Sequence, residues 1–439
     1  MQADLRIDAR WVLPMDAEGS ILEHHSVYIT DGRIVTICPT AEALESAADI
    51  VKLEQHALLP GYVNAHGHAA MSLFRGFADD LPLMTWLNDH IWPAEGRWVS
   101  DAFVYQGTQL AIAEMIRCGT TTFADMYFYA ADSVRAAIEA GIRTASFTPV
   151  LDFPTNFAAN ASEYIAKTLE VIEFYKDEPL AHIGIGPHAP YTVSDAPLLE
   201  IARLADELDI PVQIHLHETA FEVSQAVEQS GIRPIERLRD LGFLSPRVSC
   251  VHMTQIDDTD IRILTETGAS VVHCPESNLK LASGFCPVQA MLEAGVNVGL
   301  GTDGAASNND LNIQGEMKTA AMLAKAVAGN AAALPAMSAL KMATIGSARA
   351  LGMAAQVGSV EPGKWADLQA VRLDALEQSP LYDPASQLVY TDSSRYTTHV
   401  WVAGRALLHE GELTTIELDA LQRQTREWQL NIARTKQPE

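Results

Sequence analysis

Over residues 4–57 apolar and polar positions alternate in short runs. Leu5, Ile7, Trp11 and Leu13 form one set, and Val27-Tyr28-Ile29 and Ile34-Val35-Thr36-Ile37 form two more. Side chains on a strand face opposite sides in turn, so this period predicts half-buried β-strands. Asp31-Gly32 between the last two runs predicts a tight hairpin. At Leu58 the pattern changes to short apolar or β-branched runs separated by amphipathic helical stretches. Eight such runs are predicted as strands: Pro60–His68 (entered through Leu58, Leu59, Tyr62 and Val63), 120–126, 143–150, 183–187, 212–216, 248–252, 270–274 and 296–303. Helices are predicted between them, among others at 103–117, 158–175, 196–208 and 257–267. After a predicted helix over 336–353, strand patterns return at 358–368 and 398–405, and a last helix is predicted over 418–433.

Strands alternating with helices predict a parallel sheet, and eight repeats predict a closed barrel. An open doubly wound sheet fits less well, because no Gly-rich phosphate loop follows any strand. The expected fold class is therefore α/β: a (β/α)8 TIM-type barrel over residues 58–355. A small composite β-sandwich domain is expected beside it, built from residues 1–57 and 356–439, the latter including the terminal helix.

The 439 residues can fill a barrel of this size as one domain. A formal net charge of −26 argues against nucleic acid and anionic membrane as partners, since both are bound through Lys and Arg. The first residues, Met1 to Arg6, lack the basic-then-apolar order of a signal peptide, and no apolar run is long enough to span a bilayer. The five cysteines (Cys38, Cys118, Cys250, Cys274, Cys286) are scattered, without a CxxC pair. They read as reduced core residues, and the expected location is cytoplasmic.

Chemistry gathers where the predicted barrel strands end. The first ends in His66 and His68, the fourth is followed by His188, and the fifth carries His215 with His217 and Glu218 beyond it. The sixth ends in His252 and the eighth in Asp303. A lone histidine at such a place is ordinarily a core residue. Five separate strands ending in ligand-type residues are another matter, because the carboxyl ends of barrel strands converge on one mouth. Three imidazoles and a carboxylate suit zinc or a similar divalent ion. His66, His68, His215 and Asp303 are assigned as the ligands of one such metal per subunit, with Zn2+ expected. Zinc brings the pKa of a bound water towards about 7. Asp303 could also accept a proton from that water, His252 could orient it, and Glu218 could carry protons to a substrate. The alternative for Glu218 is a solvated loop carboxylate.

These stretches resemble the amidohydrolase superfamily, in its deaminase and chlorohydrolase (TRZ/ATZ) branch with one metal. The resemblance rests on Pro60–His68, Ile214–Thr219, Val251–Met253, Val272–Lys280, Leu300–Asn309 and Gly358–Leu368. Binuclear relatives bridge two metals through a lysine on the fourth strand, and Ile183–Pro187 holds none. Trp92-Pro93-Ala94-Glu95, Ala124–Phe128 and Gly186–Tyr191 further resemble 5-methylthioadenosine/S-adenosylhomocysteine deaminases. That resemblance implies substrate contacts from Glu95 (ribose hydroxyls), His188, Glu218 (a purine ring nitrogen) and Asp303. It also implies a homo-oligomer. The loop from Met71 to Trp98, rich in Phe and Trp, could cover a purine.

The expected reaction is hydrolytic deamination of an adenine nucleoside, 5′-methylthioadenosine giving 5′-methylthioinosine and ammonia. Glu218, His252 and Asp303 are the expected catalytic residues. S-adenosylhomocysteine is expected to be disfavoured, because residues 148–157 hold no Arg or Lys to pair its carboxylate. Rival readings are a guanine- or pterin-type deaminase, a triazine chlorohydrolase on the same site, and a metal-free barrel that only binds partners.

Overall fold

The computed structural model describes residues 3–44 and 47–434. Two eight-stranded sheets organise it. The first draws on both ends of the chain. Its spatial order is Glu412–Leu413, Arg405–His409, Thr397–Val402, Leu368–Arg372, Ala47–Pro60, Ala3–Val12, Leu22–Thr30 and Arg33–Pro39. Neighbours are antiparallel except Ala3–Val12 and Ala47–Pro60, which run parallel. The hairpin forms at Asp31-Gly32, where both residues have positive φ (50° and 72°), as a tight two-residue turn requires. The ladder curls back on itself: Ile34 exchanges main-chain hydrogen bonds with Gly363 and Lys364, and Arg33 bridges Trp365. Ile7, Val27, Ile29, Leu53, Leu58, Leu368 and Trp401 fill the space so enclosed.

The second sheet is the barrel. Its strands follow in chain order, all parallel: Tyr62–Asn64, Thr120–Asp125, Arg143–Val150, Ala181–Pro187, Val212–Leu216, Val248–His252, Ser270–His273 and Val298–Leu300. Between the first and last strands closure is made by single bonds: Ala65 N–H to Leu300 O (2.8 Å) and Asp303 N–H to His66 O (3.1 Å). The Asn64 amide completes it, donating to Thr302 Oγ1 (2.8 Å) and accepting the Thr302 N–H (3.1 Å). Val63, Ala65, Ala124, Ala145, Phe147, Val251 and Val272 pack in one of its buried clusters.

Two expectations shift. Leu58 and Leu59 do not enter the barrel; they end the long strand Ala47–Pro60 of the other sheet, which is apolar here because both its faces are covered. The change of sheet occurs at Gly61, where an added Cβ would lie 2.1 Å from Thr121 Cγ2, so only glycine lets the strands approach. The run 358–368 is mostly turn, and its strand begins at Leu368. No helix among the described residues is long and apolar enough to cross a membrane.

A buried ion pair ties the two sheets together. Arg143, at the start of the third barrel strand, donates to both oxygens of Asp367 (2.7 and 3.2 Å) and to Pro179 O (2.6 Å). At the opposite end, residues 69–98 lie over the barrel mouth. The final helix Leu418–Arg434 braces them, with Trp428 edge-on to Phe103 and Trp98.

Candidate active site

The first barrel strand stops at Asn64, so His66 and His68 stand on the loop beyond it rather than on the strand. Asp303 likewise lies past Leu300, and His252 closes its strand. His252 (φ 77°) and Asp303 (φ 62°) adopt left-handed backbone, a costly conformation for residues with a Cβ. Loop and strain together bring side chains from four strands to one point.

Each candidate ligand is oriented by a second contact. The His68 Nδ1–H donates to Met126 O and the His215 Nδ1–H to His188 O, both at 2.7 Å. His66 Nδ1 lies 2.7 Å from Gln213 Oε1. The amide of Gln213 cannot be turned round, because its Nε2 donates to Ala65 O (2.9 Å). A carbonyl only accepts, so all three rings carry a hydrogen on Nδ1, and each in its neutral form offers Nε2 to a metal. The Nε2 atoms of His66 and His215 are 3.2 Å apart. Asp303 Oδ1 stands 3.1 Å from His68 Nε2 and 3.5 Å from His66 Nε2. Lone pairs converging this closely repel unless a cation lies among them. The donor set therefore fits a divalent metal held by His66, His68, His215 and Asp303. His252 is near enough to share the point with His66 and His215.

Asp303 uses its other oxygen differently. Oδ2 accepts from Ser277 Oγ (2.6 Å) and Ser307 Oγ (2.9 Å), which fixes Oδ1 toward the imidazoles. His252 Nδ1 pairs with Asn278 Oδ1 (2.9 Å), and its Nε2 lies 3.8 Å from Glu218 Oε2. Glu218 is buried, not a solvated loop residue. Burial, with the negative charge of Asp303 nearby, pushes its carboxyl up to about 8, so it is an acid at neutral pH. Its main chain is pinned as well: the N–H donates to Glu222 Oε2 (2.8 Å) and the carbonyl accepts from Thr254 Oγ1 (2.6 Å).

These groups open into a cavity of about 480 Å³ lined by His68, Glu95, Tyr127, His188, His215, Glu218, His252 and Asp303, among others. His66 sits fully buried. His217 is turned away from the cavity: its Nε2 accepts the Ile235 N–H (3.1 Å), a structural role. Cys274 packs inside a buried apolar cluster.

The amidohydrolase family model matches residues 57–407. The chain belongs to the amidohydrolase family. It is 52% identical over 433 residues to a 5-methylthioadenosine/S-adenosylhomocysteine deaminase of Saccharophagus degradans, covering 98% of this chain and 97% of that one. A 5′-deoxyadenosine deaminase of Methanothermobacter thermautotrophicus is 42% identical, covering 92% of this chain and 93% of that one. The crystal structure of an adenosine deaminase from Xanthomonas campestris with bound zinc superposes with a TM-score of 0.97. It is 47% identical and covers 98% of this chain and 99% of that one. With its donor cluster, this amidohydrolase is a metal-dependent hydrolase, and its metal is one divalent ion of the zinc type.

The sequence reading assigned no role to several groups of this amidohydrolase: Gln213, Ser277, Asn278, Ser307 and Tyr127. Gln213 carried a signal, being a polar residue in a buried strand, two positions before His215 and so on the same face. The others lie in the stretches on which the family resemblance rests, without a spacing that would assign them a role. Tyr127 OH donates to Glu95 Oε1 (2.6 Å), which leaves Oε2 free to accept from a ligand. Trp92, Phe128, Pro149, Leu151, Phe153 and Phe157 form an apolar wall, and among the described residues no Arg or Lys lines the cavity.

Proposed function

We propose that this amidohydrolase deaminates an adenine nucleoside by hydrolysis, with 5′-methylthioadenosine its preferred substrate and 5′-methylthioinosine and ammonia its products. The observation that carries the reading is the buried Glu218 carboxyl, which lines the cavity together with His68, His215 and Asp303 of the donor cluster. Deamination at C6 needs an acid at the neighbouring ring nitrogen, and few other buried acids face this cavity.

When bound by His66, His68, His215 and Asp303, a divalent metal supplies Lewis-acid activation of water. The chain's own residues do the rest. His252 Nε2 accepts a hydrogen bond from the water and turns it toward C6. Asp303, held by Ser277 and Ser307, takes the water's proton and returns it to the departing amine. Glu218 gives its proton to the ring nitrogen as the water adds to C6, which lets the ring accept the electron pair, and it recovers a proton from the C6 hydroxyl as the amine leaves and the product carbonyl forms. Glu95 Oε2 accepts from a ribose hydroxyl, and the residues of 69–98 keep bulk water out.

Glu95 and Tyr127 favour a nucleoside over a guanine, a pterin or a chlorotriazine, which have no sugar to place there. Ammonia release should be followed with adenosine, methylthioadenosine, S-adenosylhomocysteine and guanine, and chloride release with atrazine. Methylthioadenosine and adenosine should be turned over best. Turnover confined to guanine or atrazine would overturn the proposal.

A further inference from the structure

The fifth barrel strand, Val212–Leu216, delivers His215 to the donor cluster. Alternation along an extended chain would send His217 the same way and Glu218 the opposite way. The structure does the reverse. His217 has left-handed backbone (φ 53°), its ring leaves the cavity, and Glu218 turns in. Such a conformation costs energy in a residue with a Cβ and persists only where its surroundings impose it. The Glu218 carboxyl does little to hold itself there: Ser283 Oγ stands 3.3 Å from Oε1, and His252 Nε2 stands 3.8 Å from Oε2. A carboxyl that hands over its proton has to stay loosely bonded, so its aim comes from the main chain.

Glu222 supplies that hold. It is buried in the first turn of the helix Ala220–Ser230. Its Oε1 accepts the His217 N–H (2.9 Å) and its Oε2 the Glu218 N–H (2.8 Å). Main-chain N–H groups only donate, so both carboxylate oxygens serve as acceptors. A glutamate three positions after the N-cap, here Thr219, ordinarily bonds back to the N–H of the N-cap itself. Glu222 reaches past Thr219 to the two residues before it, which are the ones at the reversal. Thr254 and Gln255, beyond the sixth strand, complete the clamp. Their N–H groups donate to His217 O (3.0 and 3.1 Å), and Thr254 Oγ1 donates to Glu218 O (2.6 Å).

We infer that Glu222 is the positioning residue of the acid Glu218: one carboxylate fixes the reversal at His217 and so turns the Glu218 carboxyl into the cavity. The inference rests on the reading of Glu218 as the acid of a deamination and adds to it a residue that does not line the cavity. Glu222→Gln keeps the shape and one acceptor. Its amide nitrogen then faces a main-chain N–H, donor against donor, and the turn that carries Glu218 loses one of its two bonds. A displacement of about 1 Å at a reacting group can cost about 100-fold in rate.

The test is a double-mutant cycle on the zinc-loaded enzyme with methylthioadenosine: wild type, Glu222→Gln, Glu218→Gln and the double variant, each with its zinc content measured. Glu222→Gln should lower kcat by about tenfold or more, with KM and zinc content near those of the wild type. In the Glu218→Gln background the same change should alter the residual rate by less than about twofold, because no acid is left to aim. Glu222→Asp, whose carboxylate is one carbon short of reaching both N–H groups, serves in the same cycle if the glutamine variant does not fold. A Glu222→Gln variant as active as the wild type, one that loses its zinc, or an equal fall in both backgrounds overturns the inference and leaves the nucleoside reading standing. Wild-type kcat in Glu218→Gln removes the acid and the inference with it. A wild type that deaminates no adenine nucleoside overturns both the inference and the reading beneath it.

Discussion

The Nε2 atoms of His66 and His215 face one another at 3.2 Å, each on a ring whose hydrogen is committed elsewhere. Neither has a proton to give the other, and a cation removes the repulsion. Protons still compete with the metal at the third ring. Burial opposes a charge on His68, but its hydrogen bond to Asp303 prevails and raises it to about 9. A metal needs that imidazole neutral, so uptake at pH 7 must expel one proton. Metal affinity is expected to rise about tenfold per pH unit and to level off near pH 9. Zinc competition titrations across pH check this, and an affinity independent of pH would refute it. Chelation should abolish turnover and lower the melting temperature, with both restored by zinc.

Gln213 holds His66 by accepting its Nδ1–H through Oε1, while its Nε2 donates to Ala65 O and so fixes the amide. Gln213→Leu should keep the barrel folded but weaken zinc binding by about 10–100-fold, the usual scale for a group that orients a ligand. Zinc content after dialysis against a weak chelator reads it directly. Full retention would mean that His66 is held by packing alone.

How these residues sit explains what the sequence disclosed. The barrel strands were legible because Val212–Leu216 and Val248–His252 are short, largely apolar runs, each with a histidine near its carboxyl end that has no packing reason to be there. The carboxyl-end rule then placed His215, His252 and Asp303 in one mouth. Leu58 and Leu59 misled because a strand covered on both faces reads the same in either sheet. Arg143 could be assigned to the far end of the barrel, but its partner Asp367 is 224 positions away. Ser277 and Ser307 lie in stretches that carry the family resemblance, but an isolated hydroxyl has no period that would assign it a role.

Glu218→Gln keeps the size of the side chain and removes its transferable proton. Zinc should stay bound while kcat falls by at least about 100-fold. The pH profile gives an independent reading. Burial raises this carboxyl to about 8, so its acid form is present below that pH and lost above it. Wild-type kcat/KM should therefore decline on the alkaline side. A bound cation counters the charge of Asp303 and draws that limb to lower pH. The residual activity of Glu218→Gln should lack the limb. If kcat holds and only KM rises, Glu218 binds the purine and some other group is the acid.

The Arg143–Asp367 pair is a matter of stability rather than chemistry. Both side chains are about 1% exposed, and Asp367 Oδ1 also accepts the Ala403 N–H (2.7 Å). Removing one partner strands a buried charge, which typically costs about 3–5 kcal/mol. Arg143→Met should lower the urea midpoint accordingly. Arg143→Met with Asp367→Leu should recover part of the loss. A double variant no better than the single one would show that the hydrogen bonds to Pro179 and Ala403 matter more than the charges.

Substrate choice follows from what the cavity lacks. A ligand carrying an amino-acid carboxylate needs a cation, and a guanidinium fork is the usual one. Residues 148–157, beside the cavity, hold none. Asp152 there is off the cavity, accepting the Ser194 N–H (2.8 Å). Arg75 is taken up by Glu114 and by Asn309 O, and Arg97 lies against the Trp98 ring, 5.9 Å from its centre. Pro149, Phe153 and Phe157 offer instead an apolar wall that suits a methylthio group. Each missing charged hydrogen bond is worth about 1.5–3 kcal/mol, and about 1.4 kcal/mol is a factor of ten. Methylthioadenosine should therefore exceed S-adenosylhomocysteine in kcat/KM by about tenfold or more, with adenosine between them or close to the better substrate. Placing both substrates in one assay and following their deaminated products by mass decides the matter. Equal or better use of S-adenosylhomocysteine would show that a cation reaches the cavity from outside this chain's own wall, and an arginine supplied by a second copy of the chain would then be the group to seek.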